Sequence, residues 1–230
     1  MADLIENTEK IFAKNLDVFI IMMVVFLIIY YLFSLIAAAF TSGFLVFVSG
    51  IIAGIFTGFA LGWYVATLYD CVYVINAGRK VDYGKSLMNG LNTFTGRKET
   101  LVSIIGLYVI GGVLAAGTGF TILGSLLSGL FIAAATAVAL VSLGFNSKQF
   151  DFMILREVHE ETPNAGFFIY ITVFIAVVQI SIISLLQVVM LPFAVIMIGS
   201  SQAAQTKPQP KQPPLQPTPA PVQAASAVQT

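Results

Sequence analysis

Long runs without a single Asp, Glu, Lys, Arg or His constrain this chain more than any other feature. Three of them cover residues 18–69, 100–147 and 162–206, and they are 52, 48 and 45 residues long. One helical span of a bilayer takes roughly 20 apolar residues, so each run has the length of two spans and a tight turn. A soluble domain carries about 25% charged residues; this chain has 10%, with 58% hydrophobic residues. Too few charges remain to cover a water-facing surface, and hydrocarbon is the expected solvent of most of the molecule. The expected fold class is all-α: a polytopic transmembrane helical bundle, six spans as three hairpins, with interfacial amphipathic helices and a disordered Pro-rich C-terminal tail. Five spans is the alternative. The regions are an N-terminal amphipathic segment (1–17), a transmembrane helical domain (18–202) and the tail (203–230).

Charge and cysteine content exclude several classes. The formal net charge is zero, so no global basic signal points to nucleic acid. The single cysteine, Cys71, rules out an intrachain disulfide and a cysteine metal cluster. Asp3, Glu6 and Glu9 stand where a cleavable leader carries a basic region, so the first span is expected to stay in place and direct insertion. No myristoyl or prenyl anchor is expected.

The polar punctuation divides the runs. Residues 1–17 place Leu4, Ile5, Ile11, Phe12 and Leu16 against Glu6, Glu9, Lys10 and Lys14, the pattern of a helix lying in the headgroup plane. The first run splits at Thr41, Ser42 and Gly43 into span 1 (18–40) and span 2 (44–66). Trp63, Tyr64 and Tyr69 mark the far end of span 2 as interfacial aromatics; the helix is expected to continue through Asp70 toward Asn76 and stop at Gly78. Tyr83, Leu87, Leu91 and Phe94 recur at helical spacing and predict a second interfacial helix. The second run splits near Gly117 and Gly119 into span 3 (101–116) and span 4 (121–143). The third has an apolar core at 166–199, too long for one span and short for two, interrupted by Gln179, Ser181, Ser184 and Gln187. Gln179 and Gln187 have amides able to bond across helices, and Pro192 would kink or start a short last span.

Lys and Arg mark the cytoplasmic side. Residues 1–17 carry two, 70–99 carry five and 148–161 carry two, while the hairpin turns carry none. The N-terminus is therefore expected in the cytoplasm, in a cell (plasma) membrane. Six spans would put Lys207 and Lys211 on that face as well. The tail holds seven of the nine prolines and is expected to be disordered with polyproline II bias. Lys211 before Pro213, Pro214 and Pro217 has the form of a proline-rich ligand, although such matches are common in any Pro-rich segment and a solubilising tail is the plainer reading.

The sharpest local pattern is a ridge of small residues. Gly50, Gly54, Gly58 and Gly62, continued by Ala66, stand four apart on span 2, and such a stripe lets another helix backbone approach closely. Span 4 has a similar ridge through Thr121, Ser125, Gly129, Ala133 and Ala137. The two ridges are candidates to face each other, or either could face a second copy of the chain or another membrane protein. A glycine-lined pore is the third reading, without a polar ring to support it. Ionisable residues within spans mark ion pathways, and none occurs here. Asp70 beside Cys71, near Tyr69, Tyr73 and Asn76, is the most polar candidate, against the plainer reading of a topology marker. His159, the only histidine, stands beside Glu160 and Glu161, where a solvated face accounts for it. No zinc, phosphate-loop or nucleophile-elbow motif appears, and neither a catalytic residue, a metal nor a cofactor is expected.

Each hairpin follows a polar or amphipathic stretch: Lys14 and Asn15 before span 1, the segment from Tyr69 to Lys85 with its Gly78–Arg79 turn, and 150–164 before an apolar run ending in Leu191, Pro192 and Phe193. This layout resembles a broad group of six-span prokaryotic membrane proteins of unknown function. It is similar to the membrane domain fused to some glycerophosphodiester phosphodiesterases and to Yip1-like integral proteins. The resemblance implies a membrane-organising or accessory role and carries over no catalytic residue. The functional expectation is a non-catalytic scaffold or accessory subunit in the lipid bilayer, with a transporter or channel component for a neutral or lipidic solute as the alternative.

Overall fold

The computed structural model describes residues 2–38, 45–117, 122–144 and 190–200, all of which belong to helices or the short turns between them. The helices are α1 (Ala2–Lys14), α2 (Leu16–Ala38), α3 (Leu45–Asn76), α4 (Tyr83–Gly96), α5 (Lys98–Gly117) and α6 (Ile122–Gly144), with a short apolar α7 at Met190–Ser200. The segment carrying His159, most of the third uncharged run and the proline-rich tail lie outside the described residues.

Among the described residues three helices are long and apolar enough to cross a bilayer, and a fourth span is present if the bent pair α1–α2 counts as one. That bend measures 76° and has a local cause. The Asn15 N–H donates to the Ile11 and Phe12 carbonyls, and its side-chain amide donates to Ile11 again at 2.9 Å. Asn15 thus closes α1, while its own carbonyl accepts the Phe19 N–H and opens α2. The charged α1 turns away from the apolar α2 at the residue that can serve both ends.

At 32 residues, α3 runs about 48 Å at 1.5 Å per residue, well beyond a hydrocarbon core of about 30 Å. The extension past Asp70 expected from sequence is present. A left-handed Gly78 (φ 69°) ends it: its N–H donates to Ile75 and the Arg79 N–H to Val74, the paired closure of a Schellman cap. Asp82 then caps α4, accepting the Lys85 N–H at 3.1 Å.

The length of α3 is matched by two helices in succession. Both α4 and α5 run antiparallel to it, end to end, with Arg97 at the break: the Arg97 N–H still donates to Phe94, and its carbonyl accepts from Leu101. On α2, Val18, Phe19, Met22 and Phe26 recur on one buried face, where Phe26 meets Trp63 and Tyr64 at ring separations of 5.3 and 4.7 Å. The opposite face leaves Ile20, Val24, Ile28, Leu32 and Leu35 exposed, Leu35 to 69%, as a lipid-facing surface requires. Helix α7 is buried through Leu191, Ala194, Val195, Ile196, Met197 and Ile198. An apolar helix covered nearly all round is a core element, and Phe193 stacks on Phe12 of α1 at 4.3 Å.

The N-terminal ends of α2 and α5 and the C-terminal ends of α3 and α6 meet at one end of the bundle, tied by bonds from Tyr83 to Asp17, Tyr69 to Leu140 and Arg97 to Ser142. All charged residues of the described segments belong to this end. The wet side of the molecule is set by that clustering.

Candidate functional site: the glycine seam and its charged end

The small-residue ridge of α3 is filled by backbone. A Cβ placed on Gly50 would lie 2.7 Å from the Gly112 carbonyl oxygen, one on Gly54 2.5 Å from the Val109 Cα, and one on Gly58 3.1 Å from the Ile105 Cα. At Gly62 the obstruction is the Phe94 ring, and Gly90 of α4 sits directly against Thr67. The ridge therefore reads against two helices: its first three glycines take α5, and its upper end takes α4. Spans 2 and 4 were candidates to pair through their ridges, yet the glycines of span 2 meet span 3. Spans 3 and 4 join at another point, where a Cβ on Gly111 would stand 3.2 Å from the Ser128 carbonyl oxygen. Gly129, Ala133 and Ala137 are buried on α6, and the Ser125 side chain lies outside the described residues. Gly111 and Gly112, which complete both contacts, form no run of four-residue spacing and so do not stand out in the sequence. Their signal was adjacency: two neighbouring glycines face two directions on a helix.

Polar side chains near the seam link helix to helix. The Trp63 indole donates to the Leu87 carbonyl at 2.9 Å and joins α3 to α4. The Tyr69 hydroxyl donates to the Leu140 carbonyl at 2.7 Å, and the Arg97 guanidinium donates to the Ser142 carbonyl. Half-burial of Arg97 lowers its pKa by desolvation, without removing a charge this basic at neutral pH. The Thr67 and Thr136 hydroxyls donate to carbonyls four residues back, the usual solution for a hydroxyl inside a bilayer. At the charged end, Tyr83 donates to Asp17 at 3.2 Å. Desolvation and then the Asp17 carboxylate raise the Tyr83 pKa, so the phenol keeps its proton and its bond until the pH rises above the ordinary tyrosine range.

The Asp70 neighbourhood is assembled as a junction. Asp70 Oδ1 accepts from the Asn89 amide at 3.2 Å. Cys71 is buried and has Ser86 of α4 within hydrogen-bonding reach. Tyr73 and Asn76 point away and are exposed. Asp70 Oδ2 is buried without a partner among the described residues. An acceptor-only carboxylate leaves that oxygen unsatisfied, at a cost of about 1–3 kcal/mol. Asp70→Asn keeps one acceptor for Asn89 and puts a neutral amide nitrogen, cheaper to bury than half of a carboxylate, in place of the orphan oxygen. It is expected to leave thermal stability equal or raise it by about 1 kcal/mol; a loss of that size in detergent melting would reveal a donor on Oδ2.

Among the described residues no group of three or more His, Cys, Asp or Glu stands close enough to hold a metal.

No family model, curated protein or solved structure matches this chain. None of these comparisons supports the expected likeness to six-span prokaryotic membrane proteins. The geometry of the seam and of its charged end carries the functional argument.

Proposed function

We propose that this chain is a non-catalytic multi-pass protein of the cell membrane, a scaffold or accessory subunit, with six spans and a cytoplasmic N-terminus. The supporting observation is what the conspicuous residues do: the glycines bring α3 onto α5 backbone to backbone, and the indole, phenol and guanidinium groups nearby bond one helix to the next. Such a bundle is a rigid support with a broad apolar circumference. A path for a neutral or lipidic solute along the α3 ridge would need room, and Gly50 and Gly112 press against each other's carbonyls there. Supporting the orientation, Arg79, Lys80, Lys85, Arg97 and Lys98 lie at one end with Lys10 and Lys14, and basic residues favour the cytoplasmic side. Extracted in mild detergent at native abundance, the protein should run with a defined partner or as an oligomer of constant stoichiometry. A strictly monomeric, partnerless species whose vesicles pass neutral solutes would overturn the scaffold reading in favour of transport.

A further inference from the structure

Away from the helix junctions, four cations gather around a single opening. Lys10 and Lys14 of α1 and Arg79 and Lys80 of the α3–α4 turn line an open basin of about 550 Å³, together with the amides of Asn7 and Asn76, and none of its lining residues carries a carboxylate. Cations at helix C-termini commonly serve to cover free carbonyls. Here two carbonyls at each helix end are already covered: Val74 and Ile75 accept from Arg79 and Gly78, and Ile11 and Phe12 accept from Asn15. Lys10 reaches Glu6 at 2.6 Å, but both side chains are well exposed, and such a pair holds little. Lys14, Arg79 and Lys80 form no ion pair among the described residues. The fold thus holds four positive charges together, from two separate elements, with the exposed Lys10–Glu6 pair as their one ion pair among the described residues. The 76° bend lays α1 across the charged end of the bundle. A cluster of at least about four basic residues on an amphipathic helix beside membrane spans attracts anionic headgroups.

We propose that the basin between α1 and the α3–α4 turn binds a phosphate-bearing anion, with an acidic phospholipid headgroup as the source its position favours. This rests on the reading that the charged end faces the inner leaflet. Each basic residue near an anionic surface strengthens binding by about fivefold, so removing three should cost at least about tenfold after screening.

The test uses the full chain in mild detergent, with native mass spectrometry counting retained phosphatidylglycerol against phosphatidylcholine. The unaltered protein should prefer phosphatidylglycerol. Lys14→Gln/Arg79→Gln/Lys80→Gln should lose that preference by tenfold or more, at an unchanged melting temperature. Lys85→Gln/Lys98→Gln removes two exposed cations of the same end that do not line the basin and should keep it. Displacement of the lipid by millimolar inorganic phosphate would support the same basin with a soluble source. Equal loss in both variants, or neither lipid preference nor a phosphate effect in the unaltered protein, would overturn the proposal. Orientation is read separately from Lys85→Cys, outside the basin, labelled by an impermeant maleimide in sealed right-side-out vesicles. Labelling from outside with lipid preference intact would retire the cytoplasmic placement and keep the basin; protection from outside with no preference would do the reverse.

Discussion

Gly54→Leu is expected to yield no folded bundle, and Gly54→Ala a bundle that melts about 4–8 °C lower. The added methyl of alanine would stand 2.5 Å from the Val109 Cα, 2.7 Å from its nitrogen and 2.8 Å from the Tyr108 carbonyl oxygen. All three are backbone atoms of a helix, so no side chain can rotate aside, and α3 and α5 must separate along their shared length. Overpacking a filled site costs about 1–3 kcal/mol, and with no compliant neighbour the upper end applies. Alanine in a helix interior regains about 1 kcal/mol over glycine. The clash wins by about 2 kcal/mol, which gives that shift for a chain of this size. Gly106 is the internal control: it lies on α5 with no atom within 4 Å of an added Cβ, so Gly106→Ala should hold or raise the melting temperature. The measurement is convenient because the single cysteine, Cys71, is buried; a thiol-reactive dye reports its release on heating. Equal behaviour of Gly54→Ala and Gly106→Ala would mean that α3 and α5 do not touch as described.

Spans 2, 3 and 4 were legible because lipid imposes a crude rule, and charge-free length obeys it; of the six spans expected, the described residues show three, or four with the bent α1–α2 pair. The sequence also showed where α3 outlasts the bilayer, since Gly78 follows Asn76 at the place where a left-handed residue can close a helix. The partner of the ridge was not legible. A stripe at spacing four says that something comes close, but the complementary surface on α5 is ordinary: Ile105, Tyr108 and Val109 offer backbone, and Gly112 adds one more small residue. Backbone-to-backbone contact leaves little trace in side-chain identity on the receiving helix. Helix α4 was visible as amphipathic and was expected at the interface. Its buried Ser86, Gly90 and Phe94 pack along α3, because Gly62 and Thr67 leave a recess that neither residue announces alone. The Asp70–Asn89 bond joins residues that no local pattern connects.

Phe94→Ala is expected to release α4 while the spans stay assembled, at a cost of about 3–5 kcal/mol, the usual range for emptying a fully buried phenylalanine site. Phe94 has no exposed surface. Its ring fills the space above Gly62 and meets Phe59 at 5.6 Å, and it is the largest buried side chain that α4 offers. The Trp63 and Asn89 bonds also tie α4 to α3, each worth roughly 0.6–2 kcal/mol in a membrane setting, beside the packing of Gly90 on Thr67, and none of these replaces the buried ring. Two readouts should move together: amide exchange across α4 should rise while α5 stays protected, and Cys71 should react with thiol reagents at room temperature as Ser86 lifts away from it. The contact also predicts a rescue that the Gly54 site cannot show. At Gly62 the atoms meeting an added Cβ belong to an aromatic ring, which a shorter side chain withdraws. Gly62→Ala and Phe94→Leu should each destabilise alone, and their combination should recover part of the sum, a coupling expected only of residues in contact. Strict additivity would place the ring elsewhere and leave α4 held by its hydrogen bonds.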